Sequence, residues 1–143
     1  EYCNNAQVDF VFYPHDNTYI ETAEESVELF KEAGVTGAYT SFHLCHEFRG
    51  GNKDRLEEAL KAVQPYLKLV SISGADNQEI YEGKNGWIDT IKPLYEGDYK
   101  LSNFMSALKS INYSGEIVLH TFGIKIAPET HLKGSMDKWK TLQ

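Results

Sequence analysis

The chain has 143 residues, of which 41% are hydrophobic and 24% charged, a composition typical of a globular domain and not of a disordered or collagen-like chain. We expect a single domain over residues 1–143 without a transmembrane helix, because no apolar run approaches the roughly 20 residues that span a bilayer. The net charge of −7, without a basic stripe, argues against binding to nucleic acids and to anionic membranes.

The first part of the chain predicts two strands on either side of a helix. Residues 7–13 alternate and are rich in Val, Phe and Tyr, which is typical of a strand. Thr22 and Glu25 have the spacing of a capping box, so a helix is predicted to begin there and to end at Gly34. Residues 35–42 predict the second strand.

The middle of the chain predicts a loop, a helix and a third strand. The loop after the second strand carries His43 and His46. Apolar residues at helical spacing predict a helix over residues 53–64, which the following proline ends. Residues 67–73 predict the third strand.

The last part of the chain predicts a long loop, two helices and a fourth strand. The loop covers residues 77–99, with a short helical turn around 87–91, and a helix over 101–111 and a strand over 116–122 follow. The apolar face of the final helix is predicted to consist of Leu132, Met136 and Trp139. The order βαβαβαβα indicates an α/β fold with a parallel sheet.

Four of the five histidines lie near or just after the ends of predicted strands. Binding chemistry in parallel α/β folds collects at the carboxyl ends of the strands, so these histidines are expected to share one face with Ser73 and Asp76. Neutral imidazole binds divalent metals and shuttles protons. Three interpretations are therefore possible, namely a metal site, a polar ligand pocket and a purely structural role. The fifth histidine, His131, is expected on the surface of the last helix. The four at strand ends are His15, His43, His46 and His120.

Four other side chains are candidates for contacts with a ligand. Glu47 and Arg49 suit a polar substrate, and the alternative is a solvated loop. Trp87 and Tyr95 could stack on a sugar ring, and the alternative is that they pack the loop down.

Several segments, in a fixed order and spacing, carry a resemblance to a known family. With them, the chain resembles the carboxyl-terminal half of the xylose isomerase-like TIM barrels, often called sugar phosphate isomerases and epimerases. The resemblance implies four βα units where a complete barrel has eight in about 250 residues. It also implies a missing amino-terminal half, or a second copy, as the partner that completes the barrel. The principal segments are residues 13–15, 41–46, 71–76, 93–99 and 113–119.

The resemblance further implies a divalent metal such as Zn, Mn, Co or Mg, and a set of site residues. Family metal positions fall on Tyr13, on His43 with His46, on Ser73 and on His120, and only His46 keeps a residue type seen widely in the family. Carboxylates that balance the metal charge and move protons in such isomerases are missing from these positions. We predict His43 and His120 as metal ligands, His15 and His46 as catalytic residues, and Tyr13, Ser73, Asp76, Arg49 and Trp87 as substrate contacts.

These features favour an isomerase or epimerase that acts on a sugar or sugar derivative. Because the carboxylates are missing, a non-catalytic carbohydrate-binding protein on the same scaffold is an alternative, as is a metal-dependent hydrolase or lyase. Cys3 and Cys45 make no disulfide framework, so two free thiols are expected, with one bridge as the alternative. The chain begins at Glu1 without a signal segment, so we expect part of something longer, with the cytoplasm as the default compartment.

Overall fold

The computed structural model describes residues 2–77 and 87–143, and its centre is a four-stranded parallel sheet. The strands lie across the sheet in chain order, and each neighbouring pair is parallel. The predicted α/β fold with a parallel sheet is therefore confirmed. The strands are β1 (Phe10–Phe12), β2 (Ala38–His43), β3 (Leu67–Ile72) and β4 (Glu116–Leu119).

Six α-helices occur in the described residues, and two short 3₁₀ turns flank the fourth of them, at Lys53–Arg55 and Gln64–Tyr66. No helix in these residues combines the length and the apolar character that a bilayer crossing requires. The helices are α1 (Tyr2–Asn5), α2 (Ala23–Glu32), α3 (Leu44–Arg49), α4 (Leu56–Val63), α5 (Leu101–Ser110) and α6 (Pro128–Leu142).

The hydrophobic core lies between one face of the sheet and the helices. Phe42 of β2 stacks on Phe104 of α5 with ring centroids 5.9 Å apart, and both side chains are fully buried. Side chains alternate between the two faces of a strand, so Ser41 and His43, on either side of Phe42, belong to the opposite face. Tyr13, on that opposite face, is 47% exposed. This face of the sheet is therefore accessible to solvent, whereas the face that packs against the helices is buried.

The start of α2 has the capping box that the sequence predicts. Thr22 accepts a hydrogen bond from the backbone N–H of Glu25, and the Glu25 carboxylate accepts one from the backbone N–H of Thr22 at 3.1 Å. These two bonds satisfy donors that a helix start leaves open. The predicted turn at residues 87–91 is also present, because the N–H groups of Thr90 and Ile91 both donate to the Trp87 carbonyl. Residues 78–86 of the predicted loop lie outside the described part of the chain.

The sequence predicts a loop after β2, whereas the structure has the helix α3 there. α3 begins directly after β2, and Leu44 and Phe48 on one side of it are almost fully buried. Its six residues are too few to show a helical period in the sequence, but burial of this side against the core stabilises the helix. His46 is therefore held on a helix instead of a loop.

The apolar face predicted for the last helix is wrong at two of its three residues, since only Trp139 packs against the core. Leu132 and Met136 are 51% and 53% exposed, whereas His131, expected on the surface, is buried together with Ser135. The Ser135 hydroxyl accepts a hydrogen bond from the backbone N–H of Leu94 at 3.1 Å and lies 3.3 Å from His131 Nδ1. This polar contact places His131 and Ser135 against the loop after β3 and leaves Leu132 and Met136 in solvent.

Glu47 is neither a substrate contact nor a solvated residue in this structure. Its side chain is 1% exposed and accepts hydrogen bonds from the backbone N–H of Ala23 at 2.9 Å and from Asn52 Nδ2 at 2.6 Å. The carboxyl group thus ties α3 to the first residue of α2. Burial raises the pKa of Glu47 to about 7, against the opposing effect of these two hydrogen bonds.

We expect the wild type to lose stability relative to a Glu47→Gln variant between pH 4.5 and pH 8. A raised pKa means that folding favours the protonated carboxyl, so this contribution is complete below the unfolded-state pKa and is lost as the pH rises through about 7. The effect is about 1.4 kcal/mol for each unit of pKa shift. Urea unfolding across this range should show the free energy of unfolding of the wild type falling relative to that of Glu47→Gln, because the lowered pKa values of His43 and His46 act equally on both proteins. The exposed Glu57→Gln variant is the control, and parallel curves for the wild type and Glu47→Gln would contradict the prediction.

Candidate active site

The carboxyl ends of three strands bring four histidines and a tyrosine together. Tyr13 and His15 follow β1, His43 ends β2, His46 lies in the α3 helix that follows β2, and His120 follows β4. The ring centroids of His15 and His46 are 4.3 Å apart, those of Tyr13 and His43 are 3.9 Å apart, and those of His46 and His120 are 6.2 Å apart. These five residues are called the histidine–tyrosine cluster below, and they lie together as their strand-end positions predict.

The Tyr13 hydroxyl lies between two imidazoles. It is 3.3 Å from His46 Nε2 and 3.3 Å from His120 Nε2. On the far side of each ring, Nδ1 of His46 accepts a long hydrogen bond from the Asp16 backbone N–H, and Nδ1 of His120 accepts one from that of Phe122. A neutral ring that accepts at Nδ1 carries its proton on Nε2. Both imidazoles therefore donate toward the same phenolic oxygen.

His43 is fixed by two buried serines. The Ser41 hydroxyl donates to the Phe12 carbonyl at 2.8 Å, so it accepts from His43 Nε2, which is 2.7 Å away. The other ring nitrogen, Nδ1, then accepts from the Ser71 hydroxyl at 2.6 Å. These two short bonds hold the His43 ring more firmly than the contacts of 3.3–3.4 Å hold His46 and His120, so His43 is the least suited of the three to exchange a partner for a metal. This geometry fits a role in which His43 holds the ring of Tyr13, against which it packs.

The buried imidazoles of the cluster are neutral at physiological pH. Burial lowers the pKa of His43 and of His46 to about 3, and the neighbouring histidines lower both further. Burial also lowers the pKa of His120, with His15 as the second cause, and burial raises the pKa of Tyr13. Neutral rings suit hydrogen bonding to hydroxyl and carbonyl oxygens, and they suit metal binding.

His15 is oriented for proton transfer. Its Nδ1–H donates to the Asp16 carbonyl at 2.7 Å, so the neutral ring has its basic lone pair on Nε2. His15 also lines a cavity of about 280 Å³, close to the lower end of the sizes usual for small-molecule sites. The walls of this cavity, called the histidine cavity below, are Tyr13, His15, His46, Trp87, Ile91, His120 and Phe122.

A buried ion pair supports one wall of the histidine cavity. Arg49 Nε donates to the Asp16 carboxylate at 2.6 Å, and the two side chains are only 10% and 11% exposed. The Arg49 guanidinium carbon lies 4.4 Å from the centroid of the Trp87 ring, a cation–π contact. The predicted site residues Arg49 and Trp87 thus lie beside the cluster, and Arg49 contacts the face of the Trp87 ring. Asp16 was not predicted, because its position in a polar loop gives no signal of burial.

Ser73 and Asp76 follow β3 as predicted, but their side chains bond to the loop that comes later in the chain. The Ser73 hydroxyl donates to the Thr90 carbonyl at 2.8 Å, and Ser73 is almost completely buried. The Asp76 carboxylate pairs with Lys92 at 2.6 Å. These bonds join residues 73–76 to residues 90–92, and neither side chain lines the histidine cavity. Tyr95, for which stacking on a sugar and packing of the loop were both open, packs against Gly134 of α6.

Three side chains here have the donor types and spacing for a metal ion. Cys45, His46 and His120 each place one donor atom within 4.8 Å of the other two, in the described part of the chain. Thiolate sulfur and imidazole nitrogen suit Zn, whereas Mg takes oxygen ligands, so the set fits Zn and does not fit Mg. Both cysteines are free, as expected, and burial raises the pKa of Cys45 to about 12, so Zn binding there would release a proton. The only sequence signal for Cys45 was its position beside His46.

Solved structures share this fold at low sequence identity. A D-psicose 3-epimerase, determined in the presence of D-fructose, is 14% identical, with a TM-score of 0.71 over 98% of this chain and 50% of that one. The 3-keto-D-glucoside 4-epimerase from E. coli is 15% identical, with a TM-score of 0.69 over 98% of this chain and 47% of that one. The IolI protein with a bound zinc atom is 18% identical, with a TM-score of 0.67 over 94% of this chain and 48% of that one.

These comparisons establish the fold and the family. The chain spans about half the length of the solved structures it matches, and identities this low show the fold alone. No curated protein sequence gives a match. The family model of the xylose isomerase-like TIM barrel, in contrast, matches residues 1–142. With four parallel strands in chain order and this match over nearly its whole length, the chain belongs to the xylose isomerase-like TIM-barrel family.

Proposed function

We propose that this chain forms half of a sugar isomerase or epimerase, with the histidine–tyrosine cluster as its part of the active site. The observation that supports this most is the convergence of neutral imidazoles and a phenol at the carboxyl ends of parallel strands, in the wall of a small cavity. Such groups match the hydroxyl and carbonyl oxygens of a sugar. The epimerases among the similar structures act on substrates of this class, which adds support at the level of the fold.

In this proposal each residue of the cluster has a separate task. His15 takes or gives a proton at Nε2, while its Nδ1–H stays bonded to the Asp16 carbonyl. Without a metal, His46 and His120 donate from Nε2 to the Tyr13 hydroxyl, whose own O–H is then available to a substrate oxygen in the histidine cavity. His43 holds the Tyr13 ring in position.

A divalent metal belongs to this proposal as a Zn-type ion held by Cys45, His46 and His120. When bound, such an ion would polarise a carbonyl group of the substrate. The structure of the IolI protein with zinc supports the fit of a soft metal to this fold. His43 is left out of the ligand set because its bonds to two serines, at 2.7 and 2.6 Å, are short, whereas the contacts that His46 and His120 would give up are 3.3–3.4 Å long.

We expect the intact protein to bind about one Zn per chain, and we expect Cys45→Ser to weaken this binding by more than about tenfold, since the thiolate is lost. Zn titration with detection of released protons measures both effects without an activity assay. Cys3→Ser is the matched control, because Cys3 lies in α1, outside the cluster. Equal Zn affinities of the two variants, or no Zn binding by the wild type, would remove the metal from the proposal.

A second half of the barrel is the partner that we propose for this chain. The sheet ends at β1 and β4, whose outer edges are unpaired within the described residues. Four parallel strands cannot close into a barrel, and unpaired edges are exposed to aggregation. The similar structures are about twice as long as the part of them that this chain covers. Another segment of the same protein, or a second copy, would pair with these edges.

A non-catalytic carbohydrate-binding protein is the second candidate. The histidine–tyrosine cluster itself contains no carboxylate, and the nearby Asp16 carboxylate is paired with Arg49. Incubation of the intact protein with hexoses and ketohexoses separates the two functions. Conversion of one sugar into another supports the isomerase or epimerase. A rise in Tm without conversion supports the binding protein, and neither effect would contradict both.

A further inference from the structure

A larger cleft lies beside the histidine cavity. It has a volume of about 520 Å³, within the range usual for small-molecule sites, and lies between residues 87–96, which follow β3, and residues 122–126, which follow β4. Most of its lining is apolar, so we call it the apolar cleft. Its apolar side chains are Trp87, Ile88, Ile91, Pro93, Phe122, Ile124 and Ile126, and its charged ones are Lys92, Glu96 and Lys125.

The two cavities share walls. Trp87, Ile91 and Phe122 line both the histidine cavity and the apolar cleft. Trp87 also contacts the cluster directly, with its ring centroid 5.0 Å from that of His46 and 5.4 Å from that of His15. The apolar cleft is therefore directly adjacent to the histidine cavity.

The chemistry of the cleft does not match a free monosaccharide. Ile88 and Phe122 are 61% and 63% exposed, so large apolar surfaces meet solvent next to a polar cluster. A sugar carries a polar group on nearly every carbon and gains little from isoleucine side chains. Lys92, one of the three charged residues of the cleft, is paired with Asp76 at 2.6 Å. The cleft is thus suited to an apolar group that is attached to a polar one.

We propose that the substrate is a sugar with an apolar aryl or alkyl substituent, a glycoside, whose sugar ring contacts the histidine–tyrosine cluster and whose substituent occupies the apolar cleft. This inference rests on the proposed sugar-directed function and names its substrate class. Burial of a phenyl-sized group contributes about 1.5–3 kcal/mol, which corresponds to roughly a 10- to 100-fold gain in affinity.

Calorimetric titration of the intact protein with matched methyl and phenyl glycosides of several hexoses tests this inference. We expect the phenyl compound of a bound pair to bind at least about tenfold more tightly. The double variant Ile124→Ser with Ile126→Ser changes the cleft without touching the histidine cavity, and it should remove this preference while keeping methyl glycoside affinity. Leu132→Ser, on the exposed side of α6, is the control and should keep the preference.

The outcomes separate this inference from the function on which it rests. Equal affinity for the methyl and phenyl compounds would overturn the glycoside inference and leave the sugar-directed function standing. A phenyl preference that survives in the double variant would overturn it too, because the substituent would then bind elsewhere. Binding of neither compound, of any hexose, would overturn both the inference and the proposed function.

Discussion

Replacement of His15 by alanine is expected to lower kcat for sugar interconversion by about 10²- to 10⁴-fold, the usual contribution of a positioned acid–base group. The reason is geometric. His15 Nδ1–H donates to the Asp16 carbonyl at 2.7 Å, which leaves Nε2 as the basic nitrogen at the wall of the histidine cavity. Steady-state kinetics with the intact protein, on the sugar that it converts, measures the effect.

A second variant separates proton transfer from positioning. His15→Asn can keep a side-chain N–H for the Asp16 carbonyl but has no basic nitrogen. It should therefore lose kcat as alanine does, while KM and Tm stay close to the wild-type values. Activity of His15→Ala within about threefold of the wild type would contradict the acid–base role. Recovery of activity in His15→Asn would assign His15 a positioning role instead.

Replacement of Arg49 by methionine is expected to cost about 3–5 kcal/mol of stability, the usual result of removing one partner of a buried ion pair. The Asp16 carboxylate, bonded to Arg49 Nε at 2.6 Å, would stay buried without its counter-charge. The same change removes the cation that lies over the Trp87 ring. Urea unfolding of the two proteins measures the loss.

An exposed arginine provides the matched control. Arg55 also contacts a carboxylate, that of Glu24, but its side chain is 43% exposed. An ion pair in solvent contributes about 0–1 kcal/mol, so Arg55→Met should have little effect. The Asp16→Asn variant combined with Arg49→Met should recover part of the stability, because the buried charge is gone. Equal losses for the two arginine variants would show that the Asp16–Arg49 pair is not specially stabilising.

The sequence was sufficient to predict the sheet, because strand periodicity and the alternation with helices are local signals. It was less accurate at the edge of the sheet. Residues 7–13 alternate as a strand should, but β1 covers only Phe10–Phe12, which pair with Ala38–Thr40 of β2. The length of an edge strand depends on its partner, and no pattern within the strand itself contains that information.

The positions of the histidines were predictable, whereas their partners were not. Carboxyl ends of parallel strands meet at one edge, so the clustering of His15, His46 and His120 follows from sequence order. The same rule places Ser73 at that edge but does not reveal that its hydroxyl bonds to Thr90. Hydrogen-bond partners depend on side-chain directions in the folded chain.

The last helix shows how tertiary contacts override a helical period. Leu132 and Met136 have the spacing of a buried face and are nevertheless exposed. Gly134 lies so close to the ring of Tyr95 that a Cβ atom there would overlap it, and together with the Ser135–Leu94 hydrogen bond this contact places that side of α6 against the loop after β3. The spacing of apolar residues along a helix does not reveal where another side chain packs closely against a glycine.

The most direct test of the proposed sugar site is a histidine ¹⁵N NMR titration of the intact protein with the sugar or glycoside that it binds. If the histidine–tyrosine cluster is the sugar site, the ring signals of His15, His46 and His120 should shift. The signals of His131, buried in α6 away from the cluster, should stay unchanged. Sugar binding that leaves the signals of these three cluster histidines unchanged would contradict the proposed sugar site.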